Sequence, residues 1–338
     1  MTPGIFPHEV TANSTNKKDF AAILEPISLE MELLHHVISG FVQMASSTYF
    51  PEVDDLCRGG KRLRAAICIA MAKAFTSDEE RLRKAIELAA YVEGIHLTSL
   101  LHDDVIDNAS ERRGIQTLHR RYGRTGAILA GDLLYVKIFH RLLELEQPAA
   151  MRVIVQGVIE MVEGETWQTI GAVTGREPSI EDYLGGIAKK TAAFIRAAAE
   201  GGALLGSPEL SDSQRAAVRM FGHDFGMAFQ IVDDILDWTA DPELLGKELL
   251  ADIKSSKLTL PLLLFIEDDA ASARGFIARA ADGAILPLST EISRRGYLHR
   301  SYRIAERYAE SAGKSLDLID GRVDVLRDLV KFTLSRCF

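Results

Sequence analysis

Two short segments of the chain carry the same arrangement of aspartates. Residues 103–107 read Asp-Asp-Val-Ile-Asp, and residues 233–237 read Asp-Asp-Ile-Leu-Asp. Apolar residues precede both segments, Leu100-Leu101 in the first case and Ile231-Val232 in the second. Because unpaired charges next to buried surface are costly, the pattern predicts carboxylates that project from otherwise buried helices toward a cation.

The spacing within each segment places two carboxylates on one helix face. Residues four apart lie one turn apart, so Asp103 and Asp107 would point the same way, as would Asp233 and Asp237. Carboxylate oxygens without sulfur or imidazole partners suit Mg²⁺ better than zinc or copper. Solvated helix ends or N-caps are the alternative interpretation, but the repeated spacing and flanks favour a magnesium site with these four residues as ligands.

Composition sets broad limits on the protein class. The 338 residues are 47% hydrophobic and 26% charged, which permits one large helical domain or two small ones. The apolar stretch 258–266 is shorter than a membrane span requires, and the N-terminus shows no signal-peptide pattern. Three cysteines without metal-ligand spacing are typical of reduced thiols. We therefore expect a cytoplasmic protein without an integral membrane segment.

The charge distribution indicates which ligands the protein could bind. A net charge of -9 argues against nucleic acid as a partner. Basic residues instead form local groups, most of them beside an acidic segment. These groups are Lys61, Arg62 and Arg64; Arg112-Arg113; Lys189-Lys190; and Lys247, Lys254 and Lys257. Cations beside metal-binding carboxylates suit a small ligand with several negative charges, such as a phosphate ester.

Apolar residues recur at steps of three and four almost throughout, which predicts an all-α protein. Candidate helices run over 28–47, 61–75, 79–107, 125–145, 148–172, 180–204, 212–238, 256–267, 272–281, 298–313 and 316–335. The first 20 residues are polar and irregular, so we predict an irregular segment 1–20 and a single domain, 21–338. The two aspartate segments would lie on helices that face each other across a helical bundle.

An ordered set of motifs makes the chain resemble the trans-isoprenyl diphosphate synthases, the head-to-tail prenyltransferases that build polyprenyl diphosphates. The set covers nearly the whole chain. Besides the aspartate segments it comprises residues 59–64 (Gly-Gly-Lys-Arg-Leu-Arg), His96, Arg112-Arg113-Gly114, Ala130-Gly131-Asp132, Gly164-Glu165 with Gln168, Lys190-Thr191, Phe229-Gln230, Gly246-Lys247 and residues 257–261 (Lys-Leu-Thr-Leu-Pro).

The resemblance implies a fold and a reaction. The fold would be a single large helical bundle of the isoprenoid synthase type with a central active-site cavity. An allylic diphosphate would lose its diphosphate, the double bond of isopentenyl diphosphate would attack the resulting cation, and loss of a proton would leave a chain longer by one five-carbon unit. Mg²⁺ would stabilise the departing diphosphate. Members are commonly homodimers, so we expect one here.

The resemblance also assigns roles to individual residues. Those that would promote ionisation and stabilise the cation are Asp103, Asp107, Arg112, Lys190, Thr191, Gln230, Asp233 and Lys257. Those that would bind substrate diphosphate are Lys61, Arg64, His96, Arg113 and Lys247. Asp104, Asp234 and Asp237 would support the first group. His96 alone would be interpreted as a buried core histidine, but its position in the ordered set favours a substrate contact.

Product length is addressed by the helix that carries the first aspartate segment. A growing tail would run down this helix, and at the rise of an α-helix Thr98 lies about 7 Å and Ile95 about 12 Å below Asp103. Neither Thr98 nor Ser99 is aromatic, and in the family a bulky ring near this level stops the chain early. We therefore expect a product of twenty carbons or more, with Tyr91, Tyr135 and Phe139 as alternatives for a deeper floor.

Two other functions are compatible with parts of the pattern. A class I terpene cyclase shares the helical fold, but its second metal site usually mixes Asn, Ser and Glu. A non-catalytic regulatory subunit of a prenyl synthase should have lost one aspartate segment, and both are intact here. A long product would be hydrophobic, so peripheral contact with a membrane is compatible with the expected cytoplasmic location.

Overall fold

The computed structural model describes residues 19–46, 49–51, 53, 59–112, 114–239, 257–281 and 285–337. Within these ranges the protein is a bundle of α-helices with one short hairpin, which confirms the predicted all-α fold. The helices are α1 (Ser28–Ser46), α2 (Leu63–Phe75), α3 (Glu79–Ile106), α4 (Leu118–Glu144), α5 (Pro148–Thr174), α6 (Ile180–Ile187), α7 (Ala193–Gly206), α8 (Asp212–Thr239), α9 (Leu260–Asp268), α10 (Ala270–Ala281), α11 (Ile285–Arg294), α12 (Tyr297–Leu316) and α13 (Asp324–Ser335).

Two further elements lie next to residues of the candidate site. A π-helical turn, Ala188–Ala192, joins α6 to α7. Between α3 and α4, strands β1 (Glu111–Arg112) and β2 (Ile115–Gln116) pair antiparallel. Gly114, in the turn between them, has φ 75°, a conformation that glycine adopts without steric cost. The hairpin therefore projects its arginine strand just beyond the first aspartate segment.

Helix α7 lies at the centre of the bundle and packs against α2, α3, α5 and α8. It is built largely from alanine and glycine, and every residue except Arg196 is buried. A Cβ on Gly202 would lie 2.1 Å from the backbone oxygen of Cys68 in α2, and one on Gly201 would lie 2.9 Å from Leu88 in α3. Because no larger residue fits at Gly202, α7 fixes how closely its neighbours approach.

Helix α8 connects two hydrophobic clusters. Phe221 and Phe225, in its first half, join the larger cluster with residues of α1 to α5 and α7. Ile231 and Ile235, in its second half, join a smaller cluster with residues of α6 and α9 to α12. The second aspartate segment is thus held by packing on both sides of one long helix. No helix in the described ranges combines the length and apolar character needed to cross a bilayer.

The observed helices differ from the predicted ones where the backbone is irregular. Helix α4 starts at Leu118 because the chain is helical on both sides of Gly123, which itself has φ 73°. The prediction omitted α11, whose Pro287 lies in the first turn, where its missing N–H is not needed. Residues 317–323, predicted as helical, form turns, and a Cβ on Gly321 would lie 2.1 Å from the oxygen of Ala74.

Candidate active site

Both aspartate segments lie at the C-terminal ends of their helices. Asp103 and Asp104 occupy the last turn of α3, and Asp107 is its C-cap, with a backbone N–H that donates to the oxygen of Asp103 at 2.8 Å. Residues 233–237 lie in the last two turns of α8. Helix C-termini carry partial negative charge, so carboxylates at these positions are destabilised unless cations offset them.

Asp107 is paired with a lysine from the C-terminal half of the chain. Lys257 Nζ donates to Oδ1 and Oδ2 of Asp107 at 3.0 and 3.1 Å. Lys257 lies just before α9, so this ion pair joins the end of α3 to the segment that follows the second aspartate segment. The structure thus brings two predicted site residues together, while Lys247 lies outside the described residues.

Asp104 holds the β-hairpin against α3. It is 2% exposed, and its Oδ1 accepts from Arg112 Nε and lies 2.8 Å from Arg112 Nη2. An ion pair this well shielded from water fixes the guanidinium far more tightly than a surface pair would. Arg112 is therefore held beside the first aspartate segment by a residue that does not itself face solvent. Arg113 lies outside the described residues.

Asp103 is partly buried and lies among charged groups from other helices. Burial and, after it, the Glu165 carboxylate raise the pKa of Asp103 to about 6, and the Lys190 ammonium acts in the opposite direction. Lys190 also forms an ion pair with Glu165, and its Nζ donates to Gln168 Oε1 at 2.8 Å. Because the ionised form of this carboxyl is unfavourable in the protein alone, a bound cation would stabilise that form strongly.

The π turn orients two neighbouring predicted residues toward different helices. A Cβ on Gly164 of α5 would lie 2.5 Å from the backbone nitrogen of Lys190, so α5 contacts the π turn at backbone distance. Lys190 extends to α5, whereas Thr191 Oγ1 donates to Gln230 Oε1 of α8 at 2.6 Å. Gln230 Nε2 in turn donates to Asp234 Oδ1 at 2.8 Å. Thr191 and Gln230 are thereby joined beside the second aspartate segment.

Asp233 is paired with an arginine that follows the C-terminal helix. Arg336 Nη2 lies 2.5 Å from Asp233 Oδ1, and the guanidinium lies 4.9 Å from the centroid of the Phe229 ring. Lys61 Nζ lies 4.8 Å from the centroid of the Phe332 ring. Desolvation and the Arg336 charge lower the pKa of Lys61 to about 8, and Asp233 opposes this shift. Lys61, Arg336 and Asp233 therefore share one neighbourhood.

Two further basic residues border this neighbourhood. Burial lowers the pKa of Arg64, and the carboxylates of Glu93 and Asp233 oppose the shift. Arg64 Nε and Arg336 Nη1 are buried and have no hydrogen-bond acceptor among the described residues. His96 is partly buried one turn after Glu93 on α3. Lys61, Arg64 and His96 thus lie on or beside α2 and α3, at some distance along α3 from its aspartate segment.

The three predicted chain-length residues have different environments. Thr98 is fully buried and its Oγ1 donates to the oxygen of Gly94 at 2.9 Å, and Ile95 is also fully buried. Ser99 is partly buried and lies one turn before Asp103, on the same helix face. Of the three, Ser99 is therefore the residue on the same face as the first aspartate segment.

Aromatic residues of α4 lie near this face. The rings of Tyr135 and Phe139 stack with centroids 5.9 Å apart. Burial and the nearby Asp103 carboxylate raise the pKa of Tyr135 to about 12. The ring of Tyr135 also lies 6.0 Å, centroid to centroid, from the ring of His102, the residue before Asp103, so it stands close to the start of any path along α3.

The carboxylates suit a metal ion that is also bound by its substrate. Among the described residues, no group of three histidines, cysteines or carboxylates is arranged to hold a metal ion by itself. Mg²⁺ usually takes one or two carboxylates together with water and substrate phosphates. Donors that are carboxylates alone, and the raised pKa of Asp103, fit such an ion better than a structural metal in a protein cage.

Sequence reasoning missed three residues of this region. Arg336 follows the apolar repeat of α13, where no distinctive spacing separates it from a solvated helix end. Glu165 belongs to a motif but received no role, although it pairs with Lys190. Tyr183 donates from its hydroxyl to Asp234 Oδ2 at 2.5 Å. The apolar periodicity of α6 makes Tyr183 look like an ordinary core residue.

Replacing Asp103 by asparagine should stabilise the metal-free protein near neutral pH. The pKa of Asp103 is raised from 3.8 to about 6, so its ionisation costs folding free energy as the pH rises between these values, and the full cost remains above them. We expect Asp103→Asn to melt roughly 2–4 °C above wild type at about pH 7.5 in chelator. At about pH 3.5 the two proteins should melt at the same temperature.

Scanning calorimetry at both pH values measures this difference. Asp107→Asn is the matched control, since it removes a carboxylate that is already paired with Lys257 and should not raise the melting temperature. An Asp103→Asn protein that melts below wild type at about pH 7.5 would contradict the predicted cost of ionisation.

Comparison with known proteins agrees with this geometry. The model of the polyprenyl synthetase family matches residues 50–282. The heptaprenyl diphosphate synthase component 2 of Geobacillus stearothermophilus is 35% identical over 78% of this chain and 80% of its own length. The all-trans-nonaprenyl-diphosphate synthase (geranyl-diphosphate specific) of Rhodobacter capsulatus is 34% identical over 77% of this chain and 80% of its own length.

A solved structure extends the comparison to the fold. A polyprenyl synthase from Caulobacter crescentus, complexed with calcium and isoprenyl diphosphate, superimposes with a TM-score of 0.84 at 29% identity, over 94% of this chain and 98% of that one. Sequence and fold therefore agree along most of the chain. The protein belongs to the polyprenyl synthetase family of trans-isoprenyl diphosphate synthases and is a transferase of prenyl groups.

Proposed function

We propose that this enzyme condenses isopentenyl diphosphate with an allylic diphosphate, head to tail and with Mg²⁺, to give an all-trans polyprenyl diphosphate of twenty carbons or longer. The observation that carries this proposal is that each aspartate-bearing helix end is paired with a basic side chain from a distant segment of the chain. Lys257 pairs with Asp107, and Arg336 pairs with Asp233. Such a set of charges suits a ligand that brings several negative charges together with its own cations.

The aspartate side of the site would bind the allylic diphosphate. Asp103, Asp107, Asp233 and Asp237 would hold Mg²⁺ together with diphosphate oxygens. The bound metal would neutralise the negative charge that grows on the leaving group. Lys257 is paired with Asp107, and Lys190 is paired with Glu165 next to Asp103. With Mg²⁺ bound to the aspartates, both lysines would be available to contact the diphosphate. Arg112, fixed by Asp104, would add a guanidinium at the same end.

The basic side of the site would bind isopentenyl diphosphate. This substrate must keep its diphosphate, so its site needs cations without a metal cluster. Lys61, Arg64 and His96, together with Arg113 from outside the described residues, are the proposed contacts. The buried donors Arg64 Nε and Arg336 Nη1, which have no acceptor among the described residues, support an anion at this place.

The cation formed on ionisation would be stabilised by oxygen dipoles. Thr191 and Gln230 lie between the lysine of the π turn and the second aspartate segment. The neutral hydroxyl and amide are weak nucleophiles, so neither would trap the cation covalently. Isopentenyl diphosphate, held on the basic side, would attack this cation with its double bond. The proton lost after carbon–carbon bond formation would pass to the departing diphosphate.

The proposed product length rests on the absence of a bulky ring just before the first aspartate segment. Ser99 lies one turn before Asp103 on the same face, and a hydroxymethyl group there leaves room for a passing tail. The stacked rings of Tyr135 and Phe139 on α4 are candidates for the side wall or floor of the path. Of the predicted chain-length residues Thr98, Ser99 and Ile95 of α3, we propose that Ser99 faces the path, since the other two are fully buried.

Two alternatives would give different products. A terpene cyclase would release hydrocarbon, and the basic side of this site has no role in such a reaction. A regulatory subunit would bind ligand without turnover. The relative from Geobacillus stearothermophilus is named as component 2 of a heptaprenyl diphosphate synthase, which makes a partner subunit worth testing alongside turnover. The two intact aspartate segments favour catalysis by this chain itself.

We further propose that the protein is a homodimer through α4 and α5. Leu129, Val136 and Leu143 recur every seven residues along the part of α4 that follows Gly123 and are 57%, 68% and 64% exposed. Val155, Ile159 and Val162 continue an exposed apolar face on α5. A heptad stripe of this kind suits a second helix pair. Light scattering should give twice the chain mass of 37.2 kDa, and the mass of a single chain would contradict the proposal.

Turnover with defined substrates tests the proposed reaction. The purified protein would be incubated with Mg²⁺, labelled isopentenyl diphosphate and, in turn, allylic primers of five, ten, fifteen and twenty carbons. We expect a ladder of diphosphate products that ends at one length of twenty carbons or more. Asp233→Asn should lower the rate at least about 100-fold, since it removes one of the groups that stabilise the leaving diphosphate.

The other outcomes of this assay discriminate between the functions. Labelled hydrocarbon would indicate a cyclase. No product with any primer, while Mg²⁺ and diphosphate still raise the melting temperature, would indicate a subunit that requires a partner. Glu267→Gln, on α9 away from the described site contacts, is the matched control for loss of one carboxylate and should leave the ladder unchanged.

Replacing Ser99 by phenylalanine should shorten the product. A ring on the Asp103 face of α3 would block the path one turn below the metal-binding carboxylates, so we expect the ladder to end at about ten to fifteen carbons. Thr98→Phe is the comparison, because Thr98 is fully buried and points into packed core. If Thr98→Phe shortens the product and Ser99→Phe does not, the tail runs along the other face of α3.

A further inference from the structure

We propose that Tyr183 and Asp234 are positioning residues that fix the hydrogen-bond direction of Thr191 and Gln230, so that oxygen lone pairs rather than N–H or O–H groups face the allylic cation. This inference rests on the proposed reaction and extends it to two residues that contact neither diphosphate nor metal in that proposal. It concerns the orientation of dipoles, which the identity of Thr191 and Gln230 alone does not determine.

The four side chains form one continuous hydrogen-bonded series. Tyr183 Oη donates to Asp234 Oδ2 at 2.5 Å, and Gln230 Nε2 donates to Asp234 Oδ1 at 2.8 Å. Thr191 Oγ1 donates to Gln230 Oε1 at 2.6 Å. Tyr183 belongs to α6, Thr191 to the π turn, and both Gln230 and Asp234 to α8. The series therefore joins three elements, and each link has the length of a strong hydrogen bond.

The chemistry of Asp234 sets the direction of the whole series. An ionised carboxylate can only accept hydrogen bonds, so the group of Gln230 that faces Asp234 must be its NH₂. The amide oxygen then faces Thr191, which must donate its single hydroxyl proton to that oxygen. What remains at Thr191 and on the free side of the Gln230 oxygen is lone-pair density. A flipped Gln230 would reverse this order and present hydrogen atoms to a developing cation.

Burial prevents water from replacing the hydrogen bonds that set this direction. Thr191 is 5% exposed, Tyr183 6% and Asp234 7%. A buried carboxylate needs donors on both oxygens, because an unsatisfied buried charge is costly. Tyr183 supplies the donor on the side that Gln230 cannot reach. Without the tyrosine hydroxyl, one oxygen of Asp234 would lack its donor, and the NH₂ of Gln230 would shift toward the carboxylate or compete with water for it. The orientation of the amide oxygen would then no longer be fixed.

Fixed dipoles matter most for a short-lived charge. A cation generated in a site with little water is stabilised by groups that are already oriented, since reorientation during the reaction would itself cost free energy. The negative charge of Asp234 lies behind the Gln230 amide and polarises it in the favourable sense. The series thus places a full negative charge close enough to assist the cation, but one amide away from it, where it cannot form a covalent bond with the cation.

Tyr183→Phe tests the proposal, with Tyr308→Phe as its matched control. Tyr308 is a partly buried tyrosine of α12 that packs against both hydrophobic clusters. We expect Tyr183→Phe to lower kcat about 10- to 100-fold, as loss of a supporting hydrogen bond typically does. The KM for isopentenyl diphosphate should change less than about twofold, because the basic side of the site is untouched. Tyr308→Phe should alter neither constant.

A binding measurement separates dipole orientation from a merely structural effect. Calorimetric titration with Mg²⁺ would compare an allylic diphosphate analogue that carries a tertiary ammonium at the reacting carbon with its neutral isostere and with inorganic diphosphate. Tyr183→Phe should weaken binding of the ammonium analogue about tenfold, and binding of the other two less than about twofold. Asp234→Asn, which lets the amide flip, should weaken the ammonium analogue relative to the isostere by a larger factor.

The outcomes distinguish this proposal from the proposed function. Equal loss of affinity for all three ligands, or an unchanged kcat in Tyr183→Phe, would overturn the positioning role. Wild-type protein that forms no product would overturn the proposed reaction instead, while the ratio of ammonium to neutral affinity would still test the hydrogen-bond series. A thermal scan of each variant ensures that a folded protein is compared.

Discussion

The arrangement of the site follows from one electrostatic constraint: several carboxylates are crowded at the C-terminal end of α3 and again at that of α8, where they also face the carbonyl ends of their own helices. Such groups coexist only if positive charge comes from elsewhere. The chain supplies it from three separate places, with Arg112 on Asp104, Lys257 on Asp107 and Arg336 on Asp233. At Asp103, burial and the Glu165 carboxylate outweigh the Lys190 charge, so the pKa of this carboxyl is raised.

This constraint gives the surrounding architecture its purpose. The basic residues come from a hairpin, a segment before α9 and the end of α13, so distant parts of the chain must meet at two helix ends. The glycine- and alanine-rich α7 makes this possible, because it lets α2, α3, α5 and α8 pack around it at close distance. The small core residues of α7 therefore help to set the distances between the charged groups at the site.

Much of this could be predicted from sequence because it depends on local spacing. Local motifs identified the aspartate segments, Lys190-Thr191 and Gln230. The helical periodicity of apolar residues predicted most of the helices. Arg336 could not be identified in this way, since its role arises from where α13 ends relative to α8. Tyr183 was hidden for a related reason: its ring fits the apolar face of α6, and only the fold places its hydroxyl on Asp234. Which carboxylate each cation selects is likewise a tertiary property.

The π turn Ala188–Ala192 makes the site sensitive to chain length as well as to residue type. It holds one residue more per turn than an α-helix, and within it Lys190 faces α5 while Thr191 faces α8. Deletion of one codon there would let α6 and α7 merge into a regular helix, and would turn everything on one side of it by about 100°. The side chains on that part of the helix would then face different neighbours, a change of register that no single substitution produces.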